Sequence, residues 1–313
     1  MGNFLQLPVA TKPGYGADRK ARLLSALRRI LPAGAREALK RLREDLLLRS
    51  LKNAGREQNL IERSEELRVI LPDISGQYTT YKLDSPFLEL AVRLLQSFQV
   101  ELVMQALAAL EFRKDAPLTI ADIGDSSGSH LVYLQSLLLK NGFSQVSCLG
   151  VNLDAVAVEK IKSRGIAAVH CRAEELAAKG ISADLFLSFE TIEHLLDPIR
   201  FLKQLVSNPD VRVLVVTVPY LSQSRVGLHY IRAGQEGDVC AENTHIYEFC
   251  PEDWMLIARF SGWDVLFDKI YYQYPARGVL RVTKPLWKNT DFEGYYGMAL
   301  VPNSRWAERY KSW

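Results

Sequence analysis

From Pro117 onward the chain repeats one unit: a short apolar run, a polar turn, then an amphipathic stretch of helical length. That alternation specifies a parallel α/β sheet, because each parallel connection must cross a face of the sheet through a helix. The spacing predicts strands at 118–123, 146–151, 167–170, 184–189, 211–218 and 263–270, with a last strand from Gly294 to Val301. Helices are expected at about 128–141, 154–164, 173–179, 195–207 and 251–261. The fold class is therefore α/β: a Rossmann-like, seven-stranded, mainly parallel sheet with helices on both faces. Two longer insertions, 219–249 and 271–293, follow the fifth and sixth strands. Both are rich in Tyr and Arg and fall where such a sheet places its substrate loops.

Everything before Pro117 reads as helix or loop. Residues 1–16 carry Pro8, Pro13, Gly14 and Gly16 and form an arm. Residues 17–85 form a basic helical region, and 86–313 the α/β domain. A first helix, with Leu23, Leu24, Leu27, Ile30 and Leu31 on one side, ends at Pro32-Ala33-Gly34. A second carries Leu39, Leu42, Leu46, Leu47 and Leu51, and a third spans about Arg56 to Ile70. The stretch Pro72–Ser85 reads as a connecting loop. Ser85 or Asp84 then caps a long helix from Pro86 to about Arg113.

The net charge of +3 is too small to imply nucleic acid, but its distribution is uneven. Lys20, Arg22, Arg28, Arg29, Arg36, Lys40, Arg41, Arg43, Arg49, Lys52 and Arg56 face only Glu37, Glu44 and Asp45. The leucine stripes opposite these bases fit either packing against a neighbour or peripheral binding to an anionic membrane. Cys148, Cys171, Cys240 and Cys250 show no metal-ligand spacing and read as reduced thiols. No uncharged apolar run approaches the roughly 18 residues of a membrane span, and no leader pattern opens the chain. The expected location is cytoplasmic, with a peripheral place at the inner membrane face.

Chemistry concentrates after the strand ends. Thr119-Ile120-Ala121-Asp122-Ile123-Gly124-Asp125-Ser126-Ser127-Gly128 takes a strand through a glycine turn into a helix N-terminus, whose amides can face a ligand. The second strand ends in Gly150-Val151-Asn152-Leu153-Asp154; then come Arg172-Ala173-Glu174-Glu175-Leu176 and Asp184-Leu185-Phe186-Leu187-Ser188-Phe189-Glu190-Thr191-Ile192-Glu193-His194-Leu195. Thr217-Val218-Pro219, His245–Glu252 and Phe260-Ser261-Gly262-Trp263 continue the series. Taken in this order, the segment 118–270 resembles class I S-adenosylmethionine-dependent methyltransferases of the small-molecule, biosynthetic type. A rival G-x-S-x-G reading, the nucleophile elbow of hydrolases, needs earlier strands to build its oxyanion hole. None precedes Leu118.

The resemblance implies that Asp122, Gly124, Ser126, Gly128 and Ser188 line the methionine half of S-adenosylmethionine. Asn152 meets the ribose hydroxyls, and Arg172 and Ala173 lie beside the adenine. Three positions depart from the family: Ser126 replaces a glycine, Asn152 an acid and Arg172 an aspartate. An amide still bonds a hydroxyl, without charge-assisted strength. Glu190, Glu193, His194 and His245 match an E-x-x-E-H pattern with a later histidine, which binds a divalent metal such as Mg in small-RNA 2′-O-methyltransferases. Without a metal, His194 or His245 can act as general base, with Glu193 beside them. The expected reaction is O-methylation of a biosynthetic small molecule such as a sugar or lipid-linked glycan. Tyr220, Arg225, Tyr230, Arg277 and Arg281 are candidates for the acceptor mouth. Two other functions fit the same residues: a methyltransferase-like binding or scaffold protein that has lost catalysis, and an RNA 2′-O-methyltransferase.

Overall fold

The computed structural model describes residues 32–79, 81–226, 244–288 and 293–310. Three helices come first: α1 (Ala33–Glu57), α2 (Ile61–Ile70) and α3 (Pro86–Ala109). Then follow β1 (Pro117–Ile123), α4 (Ser129–Lys140), β2 (Gln145–Asn152), α5 (Ala155–Ser163), β3 (Ala167–His170), β4 (Leu185–Phe189), α6 (Pro198–Val206) and β5 (Val213–Tyr220). A short ribbon pairs β6 (Arg225–Val226) with β7 (Tyr247–Glu248). The chain continues through α7 (Pro251–Phe260), β8 (Trp263–Tyr272), α8 (Lys284–Lys288) and β9 (Gly294–Pro302).

The sheet order is β3-β2-β1-β4-β5-β9-β8. The first five strands are parallel neighbours, while β9 runs antiparallel between β5 and β8. Alternate residues of each strand feed two apolar layers. Leu118 and Ile120 point into one with α1–α4; Ala121 and Ile123 point into the other with Phe201 and Leu202 of α6 and Trp254 of α7. Burial on both faces makes the strands read as continuous apolar runs. In this topology β1, β4 and β5 all end on one edge, next to the switch in strand order between β1 and β4.

Local chemistry sets the boundaries. The Ser85 hydroxyl accepts from Leu88 N at 3.2 Å and Pro86 opens α3. Arg93 is fully buried. It donates to Glu89 at 2.8 Å and to the carbonyls of Leu71 and Pro72 at 3.2 and 2.6 Å, tying the loop 72–85 to α3. Asp154 and Asp197 cap α5 and α6 in the same manner.

Some expectations need correction. The segment 173–179 is a single 3-10 turn, Ala173–Glu175, followed by further turns to Gly180, whose φ of 62° ends the segment. Seven residues give too few hydrogen bonds to offset helix nucleation. The long helix stops at Ala109, and the third helix starts only at Ile61. His170, at the end of β3, contacts the Leu153 carbonyl at 2.8 Å. The arm and the first basic helix lie outside the described residues. No described helix is long and apolar enough to cross a membrane.

Candidate functional site

The turn after β1 is held from inside. Gly124 and Gly128 take φ values of 88° and 79°, conformations that disfavour side chains. A Cβ on Gly124 would also stand 2.2 Å from Thr191 Oγ1. Asp125 Oδ1 accepts from the amides of Ser127 and Gly128 at 3.0 and 2.6 Å. Asn152 Nδ2 donates to the Asp125 carbonyl at 2.9 Å, and its Oδ1 accepts from Asp154 N at 2.7 Å. An aspartate at 152 could not make the first of these bonds, which gives the departure a structural cause. Arg172 is half-exposed and 3.6 Å from Glu174, with Ala173 beside it.

Beneath the turn, three buried groups converge without hydrogen-bond partners: Asp122 Oδ2, Asp125 Oδ2 and His130 Nδ1. His130 Nδ1 stands 3.3 Å from Asp122, and Nε2 donates to Gln99 Oε1 at 2.9 Å. Burial, and then the Asp122 charge, pushes the Asp125 carboxyl up to about 6. Burial alone would lower His130, but Asp122 outweighs it and raises it. Ser188 Oγ, fully buried, also has no partner among the described residues. Unsatisfied carboxylate oxygens at the C-terminal edge of the sheet suit a cationic guest. The methionine half of S-adenosylmethionine, an ammonium and a sulfonium, has that charge, so these residues fit the cofactor.

Over the turn lies a residue the sequence did not single out. Gln77 is buried and spans the loop 72–85 to the serines: Nε2 donates to Ser126 at 3.3 Å, and Oε1 accepts from Ser127 and Ser129 at 2.8 and 2.6 Å. Arg164 donates to Ser129 at 2.6 Å, and Lys160 to the Gly76 carbonyl at 2.8 Å. Ser126, where the family has glycine, is one of these anchors.

The second constellation follows β4. Glu190 takes a φ of 50° and starts the tight turn that ends in the 3-10 segment Ile192–His194. Ile246 N donates to the Glu193 carbonyl at 2.8 Å and brings His245 across from a distant segment. His194 Nδ1 donates to the Thr244 carbonyl at 2.8 Å; His245 Nδ1 donates to Glu248 at 3.0 Å, and Arg225 holds the other Glu248 oxygen. Each bond orients its ring through Nδ1. The imidazoles meet edge to face with centroids 4.7 Å apart. Glu193 is fully buried, and neither oxygen has a hydrogen-bond partner among the described residues. One ligand atom each from Glu193, His194 and His245 lies within 4.8 Å of the others.

Electrostatics match that geometry. Burial, then the neighbouring Glu190, lifts Glu193 well above the usual carboxyl range. Burial also pushes Glu190 up to about 8. His194 falls to about 4 through burial, then His245. Burial would raise Glu248, but His245 and Arg225 outweigh it and lower it. Two imidazoles and one carboxyl are a donor set for a transition-metal dication, more than for magnesium. Glu190 stands outside the ligand group: its carboxyl bonds Thr217 and faces Tyr295, because the positive-φ turn swings it toward β5 and β9.

Of the acceptor-mouth candidates, Tyr220 packs edge-on against Tyr272 at 5.5 Å, which in turn meets Tyr274. Arg225 is a brace behind His245 through Glu248 and not part of the mouth. Arg277 and Arg281 are exposed on the far rim, and Tyr230 lies outside the described residues. Tyr271 and Tyr295, stacked at 6.3 Å, extend the aromatic wall toward Glu190.

Residues 121–207 match a family model described as a methyltransferase domain. That match spans 87 of the 313 residues. The matched segment holds the β1 turn and the Glu190–His194 turn together. Among solved structures, the CurJ carbon methyltransferase aligns with a TM-score of 0.52 at 13% identity, over 88% of this chain and 72% of that one. A 1,6-didemethyltoxoflavin-N1-methyltransferase of Burkholderia thailandensis, solved with its substrate and S-adenosylhomocysteine, aligns at 0.43 and 14%, over 67% and 78%. An O-methyltransferase from a polyketide synthase of Brevibacillus brevis, in complex with S-adenosylhomocysteine, aligns at 0.44 and 8%, over 68% and 75%. At such identities the likeness is one of fold. No curated protein sequence matches the chain.

Proposed function

We propose that this methyltransferase transfers the methyl group of S-adenosylmethionine to a hydroxyl oxygen of a biosynthetic small molecule, a sugar or lipid-linked glycan. One observation carries the reading: a buried carboxyl, Glu193, with no hydrogen-bond partner among the described residues, grouped with two imidazoles that are each oriented through Nδ1. S-adenosylmethionine supplies an electrophilic methyl on a sulfonium. In the reaction the sulfur–methyl bond breaks with its electron pair kept by sulfur, the oxygen–methyl bond forms, and the acceptor loses one proton. The protein's work is to align the two partners and take that proton.

Glu193, His194 and His245 are assigned to that proton. A divalent cation held by these three residues would bind the acceptor oxygen and favour its alkoxide. Without it, His194 is neutral above about pH 4 and keeps its lone pair. Glu248 and the Thr244 carbonyl keep both rings oriented. Asp122 and Asp125 hold the cationic end of the cofactor. The tyrosines 220, 272 and 295 offer flat faces and hydroxyls to a sugar ring. A cytoplasmic place, peripheral to the inner membrane face, belongs to the same reading; its support is the basic run from Lys20 to Arg56.

The test is calorimetry with S-adenosylmethionine and S-adenosylhomocysteine, followed by labelled methyl transfer to a panel of free and lipid-linked sugars. Cofactor binding with transfer to sugar oxygen supports the proposal. A second reading, a binding module that has lost catalysis, is favoured by one observation: Asn152 and Ser126 spend their polar groups inside the protein. Absence of binding by both cofactor forms would establish it instead.

A further inference from the structure

We propose that the projecting end of α1 and the turn Val279–Thr283 form one docking surface for an anionic membrane. From Leu47 onward α1 alternates buried and exposed residues on the body, whereas its described side chains before Leu46 are exposed or half-buried. Ser50 fixes the orientation: it bonds Thr283 at 2.8 Å, so that side of the helix looks toward the turn. At 3.6 residues per turn, Leu39, Arg43 and Leu46 lie within about 40° of Ser50 around the axis, while Glu37, Glu44 and Asp45 lie about 120–140° away. The acids therefore face away from the side on which Leu39 and Arg43 stand.

The turn adds the same chemistry from a distant part of the chain. Val279 and Val282 are 84% and 72% exposed, with Arg281 between them. Leu39 is 58% exposed, and Leu42 beside it 65%. Aliphatic side chains standing in water among arginines, with the acids turned away, complement a surface of apolar depth and negative charge. In sequence, the run from Lys20 to Arg56 carries eleven bases against three acids. The surface is also fixed to the acceptor mouth, since Gln58 exchanges two hydrogen bonds with the backbone of Tyr272 at 2.8 and 3.0 Å. This proposal deepens the reading of a lipid-linked acceptor and rests on that reading only for what the docked mouth would meet.

The experiment is co-sedimentation of the full chain with vesicles of phosphatidylglycerol and phosphatidylcholine, against vesicles of phosphatidylcholine alone, at low and high salt. The expected result is binding to the anionic vesicles only, released by salt. Leu39→Asp with Arg43→Glu on the helix, and Val279→Asp with Val282→Asp on the turn, should each weaken it roughly tenfold or more. All four positions lie outside the core, so thermal melts should be unchanged, and methyl transfer to soluble sugars should persist in the Leu39/Arg43 variant. No binding, equal binding to both vesicles, or binding indifferent to these substitutions would overturn the proposal. So would a concentration-dependent dimer, broken by the same substitutions, in place of vesicle binding. Failure of methyl transfer with vesicle binding intact would count against the enzymatic reading alone.

Discussion

Glu193 is the residue on which most follows. Its carboxyl is buried with no hydrogen-bond partner among the described residues, and burial favours its neutral form, so an amide in its place costs the fold little. Glu193→Gln should leave the melting temperature unchanged or raised, while a dication titrated by calorimetry binds about a hundredfold more weakly. Glu190 gives a pH signature. Its folded value, about 8, lies above the ordinary 4.5, so the unfolded chain releases a proton that the folded one keeps. The stability tied to Glu190 is thus full below about pH 4.5 and lost as pH rises to about 8. Thermal melts across that window should fall for the wild type and flatten in Glu190→Gln. Asn152→Asp restores the acid common in the family but removes the donor to the Asp125 carbonyl. It should destabilise by about 1–3 kcal/mol in urea titrations. The place of Asn152 at the end of β2 was legible; its bond to Asp125 was not, because side-chain pairing across a turn leaves no periodic signal.

At the scale of elements, the strands were readable because both faces of the sheet are buried, which turns each strand into an apolar run. The pair β6–β7 was not, since two residues carry no period. Glu190 was placed among the ligands on helical i, i+3, i+4 spacing; its positive φ makes the segment a turn, and the spacing argument fails there. The loop 72–85 looked like a connector since Gln77 shows its role only against Ser126, Ser127 and Ser129, about fifty residues on. Gln77→Ala should free those hydroxyls and raise amide exchange across 73–79 by roughly five-fold or more while strand protection is retained. A strap released in this way should also let the cofactor leave faster, measurable as an increased dissociation rate in stopped flow.

At the scale of the whole molecule, α1 clasps the segment that follows β8. Besides the Gln58 pair, Glu57 accepts from the amides of Ala276 and Arg277 at 2.7 and 3.3 Å, and Trp287 donates to Ser50 at 3.2 Å. Gln58→Ala should therefore raise KM for the acceptor several-fold with little change in cofactor affinity, a split that steady-state kinetics and calorimetry resolve together. The position of β9 has a consequence for how the protein is made. The strand follows β8 along the chain, yet it lies between β5 and β8. Until residues 294–302 leave the ribosome, β5 is an open parallel edge and β8 has no partner in the sheet. The nascent chain must carry that bare edge for the time it takes to translate the residues from Tyr220 to Gly294, at about 5–20 residues per second. A ribosome paused in that interval would hold a half-sheet ready to pair with a neighbouring chain.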